Sequence, residues 1–158
     1  MSVDSLDARL LELFSAEPRI GVLEASRRIG VARGTVQARL DRLERSGVVR
    51  GWGPELHPEA LGYGVTAFVT LKIRQGGGHD PVGEHLAKIP EVIEAHTITG
   101  PGDLWCRVVA RSNRDLQRVL DSVVSFPGID RSATMITLAT QVEPRLLPLL
   151  QATADANA

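Results

Sequence analysis

Apolar positions recur every three to four residues through the first third of the chain and every two residues after its middle. Leu6, Leu10, Leu13 and Phe14 fall at i, i+4, i+7 and i+8, which predicts a helix over 4–14 with Asp4 capping its start. Pro18 ends it. Val22, Ala25 and Ile29 mark a second helix, and Gly30 then supplies a residue that turns sharply without steric cost. Val31 plugs the turn, and Val36, Leu40 and Leu43 form the stripe of a third helix that Gly47 terminates. The predicted core is Leu6, Leu10, Leu13, Ile20, Leu23, Ile29, Val36, Leu40, Leu43 and Val48. Residues 48–56, with two valines, Gly51, Gly53 and Pro54, read as a short wing of strand and bend.

The period then changes to two. Val65, Ala67, Val69, Leu71 and Ile73 alternate with Thr66, Phe68, Thr70 and Lys72, a strand with one buried face within 63–74. A loop through Gly76, Gly77 and Gly78 follows, then a short helix over 81–89, a strand over 92–99, a turn at 100–103 and a strand over 104–110. Ser112 and Asp115 open a helix with Leu116, Val119, Leu120 and Val123 inward, and residues 129–142 hold a fourth strand. Leu146, Leu147, Leu149 and Leu150 suggest a last short helix, and the tail 151–158 reads as frayed. The fold class is α+β: an N-terminal winged helix-turn-helix joined to a C-terminal ferredoxin-like βαββαβ domain. The expected boundaries are 1–56 for the first domain (motif 22–45), 57–64 for a linker, 65–143 for the second domain and 144–158 for a tail. Thr66, Phe68, Thr70, Trp105 and Val109 would make the helix-free sheet face too apolar for open water, which predicts a dimer through that face.

Charge sharpens the picture of the third helix. The chain's net charge is −1, yet between residues 19 and 51 eight arginines face three acids. Such a local field attracts phosphates even in a near-neutral protein. Only Lys72 and Lys88 are lysines, so the positions of the arginines, not their identity, carry the signal. Arg33, Gln37, Arg39, Arg42 and Arg45 form the expected solvent face of the second helix of the motif. Trp52 is placed either to touch a DNA backbone, as is Arg50, or to pack between domains.

At 158 residues and 43% hydrophobic, the composition is that of a globular protein. No apolar run approaches the ~20 residues of a membrane span, and no basic-then-apolar leader opens the chain, which predicts a cytoplasmic location. The one cysteine, Cys106, sits in an apolar run and reads as a buried small hydrophobe. His57, His79, His85 and His96 show no metal-ligand spacing, so no metal is expected. The run Gly76–Gly78 lacks the Lys-Ser/Thr of a phosphate loop, and no Ser, His and Asp group stands out as catalytic.

The chain as a whole resembles the Lrp/AsnC (leucine-responsive, feast/famine) family of transcriptional regulators. The matching stretches are LDARLLELFSAEPRI, RLDRLERSGVVRGW, PEALGYGVTAFV, IPEVIEAHTITGPGDLWCRV and FPGIDRSATMIT, covering nearly all of residues 5–142. The resemblance implies a helix-turn-helix followed by a ferredoxin-like ligand domain called RAM. It implies dimers that assemble further, often to octamers, and an amino-acid effector held between dimers, with no other cofactor. It places Arg33, Thr35, Gln37, Arg39 and Arg42 against double-stranded DNA, the first three toward base edges and the arginines 39 and 42 toward the backbone. It places Gly100, Gly102, Asp103, Met135, Ile136 and Thr137 around the effector. There Asp103 would accept from an ammonium, and the N–H groups of Gly100 and Gly102 would donate to a carboxylate. The alternative for that turn is a plain connection between strands. Two positions depart from the family. Ala32 stands where Ser commonly caps the recognition helix, and Gly34 where Pro is common, so a softer helix start is expected. Two other functions stay open on sequence alone: a RAM assembly module without specific DNA binding, and a small amino-acid-converting enzyme.

Overall fold

A computed structural model describes residues 2–74 and 79–157, so the glycine run 76–78 lies outside the described residues. The chain divides into two compact units, 1–55 with 142–158, and 56–141.

In the first unit, α1 (Ser5–Ala16) starts at a reciprocal cap. The Asp7 amide donates to Asp4 Oδ1 at 2.9 Å, and the Asp4 amide donates to Asp7 Oδ2 at 3.1 Å. α2 (Val22–Ile29) ends at Gly30, whose φ of 81° lies in the left-handed region that glycine adopts freely. α3 (Arg33–Arg45) follows after three residues, Gly30, Val31 and Ala32. Leu10, Phe14, Ala25, Val36 and Leu40 form the core, with Leu6, Leu13, Ile20, Val22, Ile29 and Val31 against it. Leu23 and Val48 do not join it: they are 49% and 42% exposed. Leu23 sits one residue, about 100° of helix, from the Val22 stripe, and Val48 follows the left-handed turn at Gly47.

Two further expectations in this unit fail. Among the described residues, 48–56 form no strand. A strand needs a backbone partner, and Gly51, Gly53 and Pro54 weaken any pairing. Trp52 packs instead edge-on against Phe14, with ring centroids 5.3 Å apart, and its indole N–H donates to Glu44. The tail is not frayed. α6 (Leu147–Ala156) continues almost to the end and lies on α1, with Ala154 buried. Gln151 donates to Glu12 at 2.6 Å and Asn157 to the Val3 carbonyl at 3.2 Å. The small polar tail hid this helix because its docking stripe ends in a single alanine.

The second unit is a four-stranded antiparallel sheet in the order β2-β3-β1-β4, from β1 (Val65–Ile73), β2 (Val92–Thr97), β3 (Leu104–Ala110) and β4 (Ile129–Ile136). α4 (Asp80–Leu86) and α5 (Asn113–Val124) cover one face. Ala67, Val69 and Leu71 of β1 and Leu104, Cys106 and Val108 of β3 pack there against Val82, Leu86, Leu116, Val119 and Val123. Burial pushes the Cys106 thiol up to about 11, as befits a core residue. On the other face Phe68 stacks on Trp105 at 5.1 Å, and Trp105 lies 5.7 Å from the His96 ring. Val109 is already buried within the chain, at 4% exposure, and so adds nothing to that open face. Of the described residues, no helix is long and apolar enough to cross a membrane, and no group of three His, Cys, Asp or Glu side chains could hold a metal.

Candidate nucleic-acid interface and effector turn

α3 begins without a side-chain cap. Ala32 has the extended backbone of an N-cap (φ −62°, ψ 144°) but no oxygen on its side chain, so only its carbonyl serves the turn, accepting from the Thr35 and Val36 amides at 2.9 and 3.2 Å. Nothing lies within 4 Å of a Cβ built on Gly34, so no close contact requires a glycine there. Arg33, Thr35 and Gln37 are exposed on this first stretch. Among the described residues, Arg33 and Thr35 have no side-chain partner, while Gln37 donates to Asp41 at 2.7 Å, one turn on.

Arg39 and Arg42 stand differently. They stay partly exposed, but both guanidiniums are ion-paired. The Arg39 guanidinium donates to Asp4 and, at 3.1 Å, to Asp7, and Arg42 donates to Asp7. Asp7 is fully buried. Arg39 beside it holds the Asp4 carboxyl below the usual carboxylate range, and Asp4 in turn raises Arg39. The two arginines are drawn in because a buried carboxylate needs a countercharge. Asp7 gave a signal that the charge count between residues 19 and 51 passed over. It lies at i−3 from Leu10 and i−7 from Phe14, a charge inside an apolar stripe. Arg28 is likewise held, by Glu17 and Glu24. Among the described residues, Arg19, Arg33, Arg45 and Arg50 are the arginines of the patch that meet no carboxylate.

The turn at 100–103 is built into the sheet. Asp103 Oδ2 accepts from the Ile73 amide at 2.7 Å, the Asp103 amide donates to the Leu71 carbonyl at 2.9 Å, and its carbonyl accepts from the Ile98 amide. Gly100 has φ 120°, which favours glycine, and a Cβ on Gly102 would lie 2.1 Å from Thr70 Cγ2, so a side chain there would force Thr70 to shift. One oxygen of Asp103 is thereby committed to the backbone, not left free for an ammonium. Met135 and Ile136 are about half exposed, and pair with Phe68 and Ala67 of β1. The Thr137 amide donates to Thr66, while its hydroxyl is buried with no partner among the described residues. Asp103 meets β1 at Leu71–Ile73 and Met135–Thr137 meet it at Thr66–Phe68. Along the strand, Leu71 is three residues from Phe68 and Ile73 seven from Thr66, roughly 10 to 23 Å, so one chain spreads the two groups along β1.

Residues 3–50 match a winged helix-turn-helix DNA-binding domain, and residues 66–147 match the Lrp/AsnC ligand binding domain. The chain is 31% identical to the HTH-type transcriptional regulator FL11 of Pyrococcus horikoshii, over 93% of this chain and 97% of that one. The corresponding regulator of Pyrococcus abyssi is 32% identical, over 94% and 98%. Among solved structures, Escherichia coli AsnC superposes with a TM-score of 0.85 at 25% identity, over 94% of this chain and 100% of that chain. A feast or famine regulatory protein from Mycobacterium tuberculosis, complexed with L-methionine, gives 0.79 at 28%, over 91% and 97%. These relatives are regulators and not enzymes, and the helix-turn-helix and the sheet domain each match in place. The chain belongs to the Lrp/AsnC family of helix-turn-helix transcriptional regulators.

Proposed function

We propose that the protein reads DNA through the first stretch of α3, with Arg33, Thr35 and Gln37 directed to base edges. The observation that carries this is the exposure of these three side chains on a helix start whose backbone is uncapped. A dimer would set two such helices about 34 Å apart on successive major grooves of a pseudo-palindromic site. Arg33→Ala should weaken binding to the protein's own upstream DNA at least tenfold while leaving the fold's circular dichroism unchanged. Equal affinity of the two proteins would overturn the assignment.

The sheet domain senses an amino acid, in this reading, at a site that two copies complete. Its two candidate halves lie apart along β1 in one chain, and the similar mycobacterial regulator was solved with L-methionine. The open Phe68–Trp105 face is the surface through which copies would pair, in the cytoplasm, before assembling further. The ligand would act by binding one assembly state better than another. A screen of the twenty amino acids should find one that raises the melting temperature and shifts oligomer size or DNA affinity. No response to any of them would leave the turn at 100–103 as a plain connection.

A further inference from the structure

We propose that Asp4 and Asp7 set the selectivity of DNA binding by withholding Arg39 and Arg42 from the phosphate backbone. This rests on α3 being the DNA-facing helix. The four side chains form a closed set of two carboxylates and two guanidiniums that joins the start of α1 to the second half of α3. Arg39 and Arg42 lie three residues apart on one side of α3, below Thr35 at i+4 and i+7, and Arg33 and Gln37 lie four apart on another. The recognition helix therefore carries one side whose charge is balanced and one whose charge is free.

Three features make the pairing hard for DNA to undo. Asp7 has no exposure to solvent, so releasing Arg42 to a phosphate would leave a buried carboxylate with Arg39 as its one remaining countercharge. Arg39 bridges both acids through one nitrogen, so swinging out to a phosphate would give up both contacts. Arg42 is held to Asp7 by a terminal nitrogen, and its Nε is buried with no partner among the described residues.

The consequence follows from how proteins hold DNA. Phosphate contacts strengthen binding to every sequence alike, and each one steepens the fall of log K with log salt by about 0.9. Base contacts strengthen binding to one sequence only. Two arginines kept off the phosphates lower the affinity for all DNA while Arg33, Thr35 and Gln37 still discriminate. The acids thus act through the arginines, as positioning residues that raise the ratio of specific to unspecific binding.

Asp4→Asn tests this with little risk to the fold, because asparagine caps a helix as well as aspartate does and Asp4 is partly exposed. Affinities of the full-length protein for its upstream DNA and for unrelated DNA of equal length are measured across a salt series. Asp4→Asn is expected to raise affinity for unrelated DNA three- to tenfold at low salt and to steepen its salt slope by up to about 0.9, one phosphate's worth. Specific binding should rise less, so the selectivity ratio falls. Asp7→Asn should do the same more strongly if it folds. Asp130→Asn makes the same change of charge in the sheet unit and should leave the slope as it was. The proposal is overturned if Asp4→Asn and Asp130→Asn give the same slope on unrelated DNA. Arg33→Ala distinguishes the underlying reading: if it changes neither affinity, α3 is not the DNA-facing helix, whatever Asp4→Asn does.

Discussion

α3 and α5 are helices of 13 and 12 residues, each laid on its unit's core by three buried side chains, Val36, Leu40 and Leu43 in one and Leu116, Val119 and Val123 in the other. They differ at their starts. At α5, Ser112 Oγ accepts from the Asp115 amide at 3.2 Å, and Asp115 returns an acceptor to the Arg111 amide at 2.9 Å. At α3, Ala32 offers no side-chain acceptor and Gly34 follows in the first turn. α3 is fastened further along, where Arg39 and Arg42 meet Asp4 and Asp7. A helix that only supports a sheet is closed at its first turn. The helix proposed to meet DNA is closed in its second half, and its first turn is left with unpaired N–H groups that a phosphate or a base can take.

The largest expected effect tests whether the two stripes are equivalent. Leu43→Ala and Leu116→Ala each remove a buried leucine, 0% and 3% exposed, and each should destabilise its unit by about 2–5 kcal/mol in urea unfolding. A much smaller loss for Leu43→Ala would mean that the ion pairs, not the stripe, hold α3 in place.

The caps come next. Ser112→Ala should cost about 1 kcal/mol, and Ala32→Ser should gain a similar amount because the backbone at 32 is already that of an N-cap. In hydrogen exchange the amides of the first turn of α3 should exchange faster than those of α5, and Ala32→Ser should close the gap. Equal exchange in the unaltered protein would remove the contrast on which the proposed role of the α3 start depends. Gly34→Ala should stabilise by roughly 0.5–1 kcal/mol, since a methyl group there meets no atom within 4 Å.

Much of this contrast was legible in the residues. The helical stripes, the left-handed Gly30, the alternation along β1 and the missing cap at Ala32 are local properties, and each stands where the pattern put it. What escaped was long-range. Asp4 and Asp7 lie 32 to 35 residues from the arginines they hold, and a charge count along a segment cannot tell a free guanidinium from a paired one. Along the chain Gly102 reads only as a donor to a ligand, and its close approach to Thr70, 32 residues earlier, cannot be seen there. α6 escaped because its docking depends on α1, at the other end of the chain.

Acid gives the smallest effect and the cleanest contrast. The Arg111 amide, followed by the Arg118 guanidinium, holds the Asp115 carboxyl below its ordinary value of 3.8. A carboxyl lowered by folding stabilises the fold above its unfolded value, and that contribution is lost as pH falls through the lower folded one. The first turn of α5 should therefore loosen progressively below about pH 4 as Asp115 takes up its proton. The first turn of α3 carries no acid and should not respond, although Asp4, also lowered, will slacken its hold on Arg39 over the same range. Amide exchange followed from pH 5 to pH 3, corrected for the intrinsic rates, should show protection falling at residues 113–115 and around Arg39 but not at residues 33–35. A fall at 33–35 of the same size would show that the start of α3 is held through Asp4 after all, and that its two halves are not independently fastened.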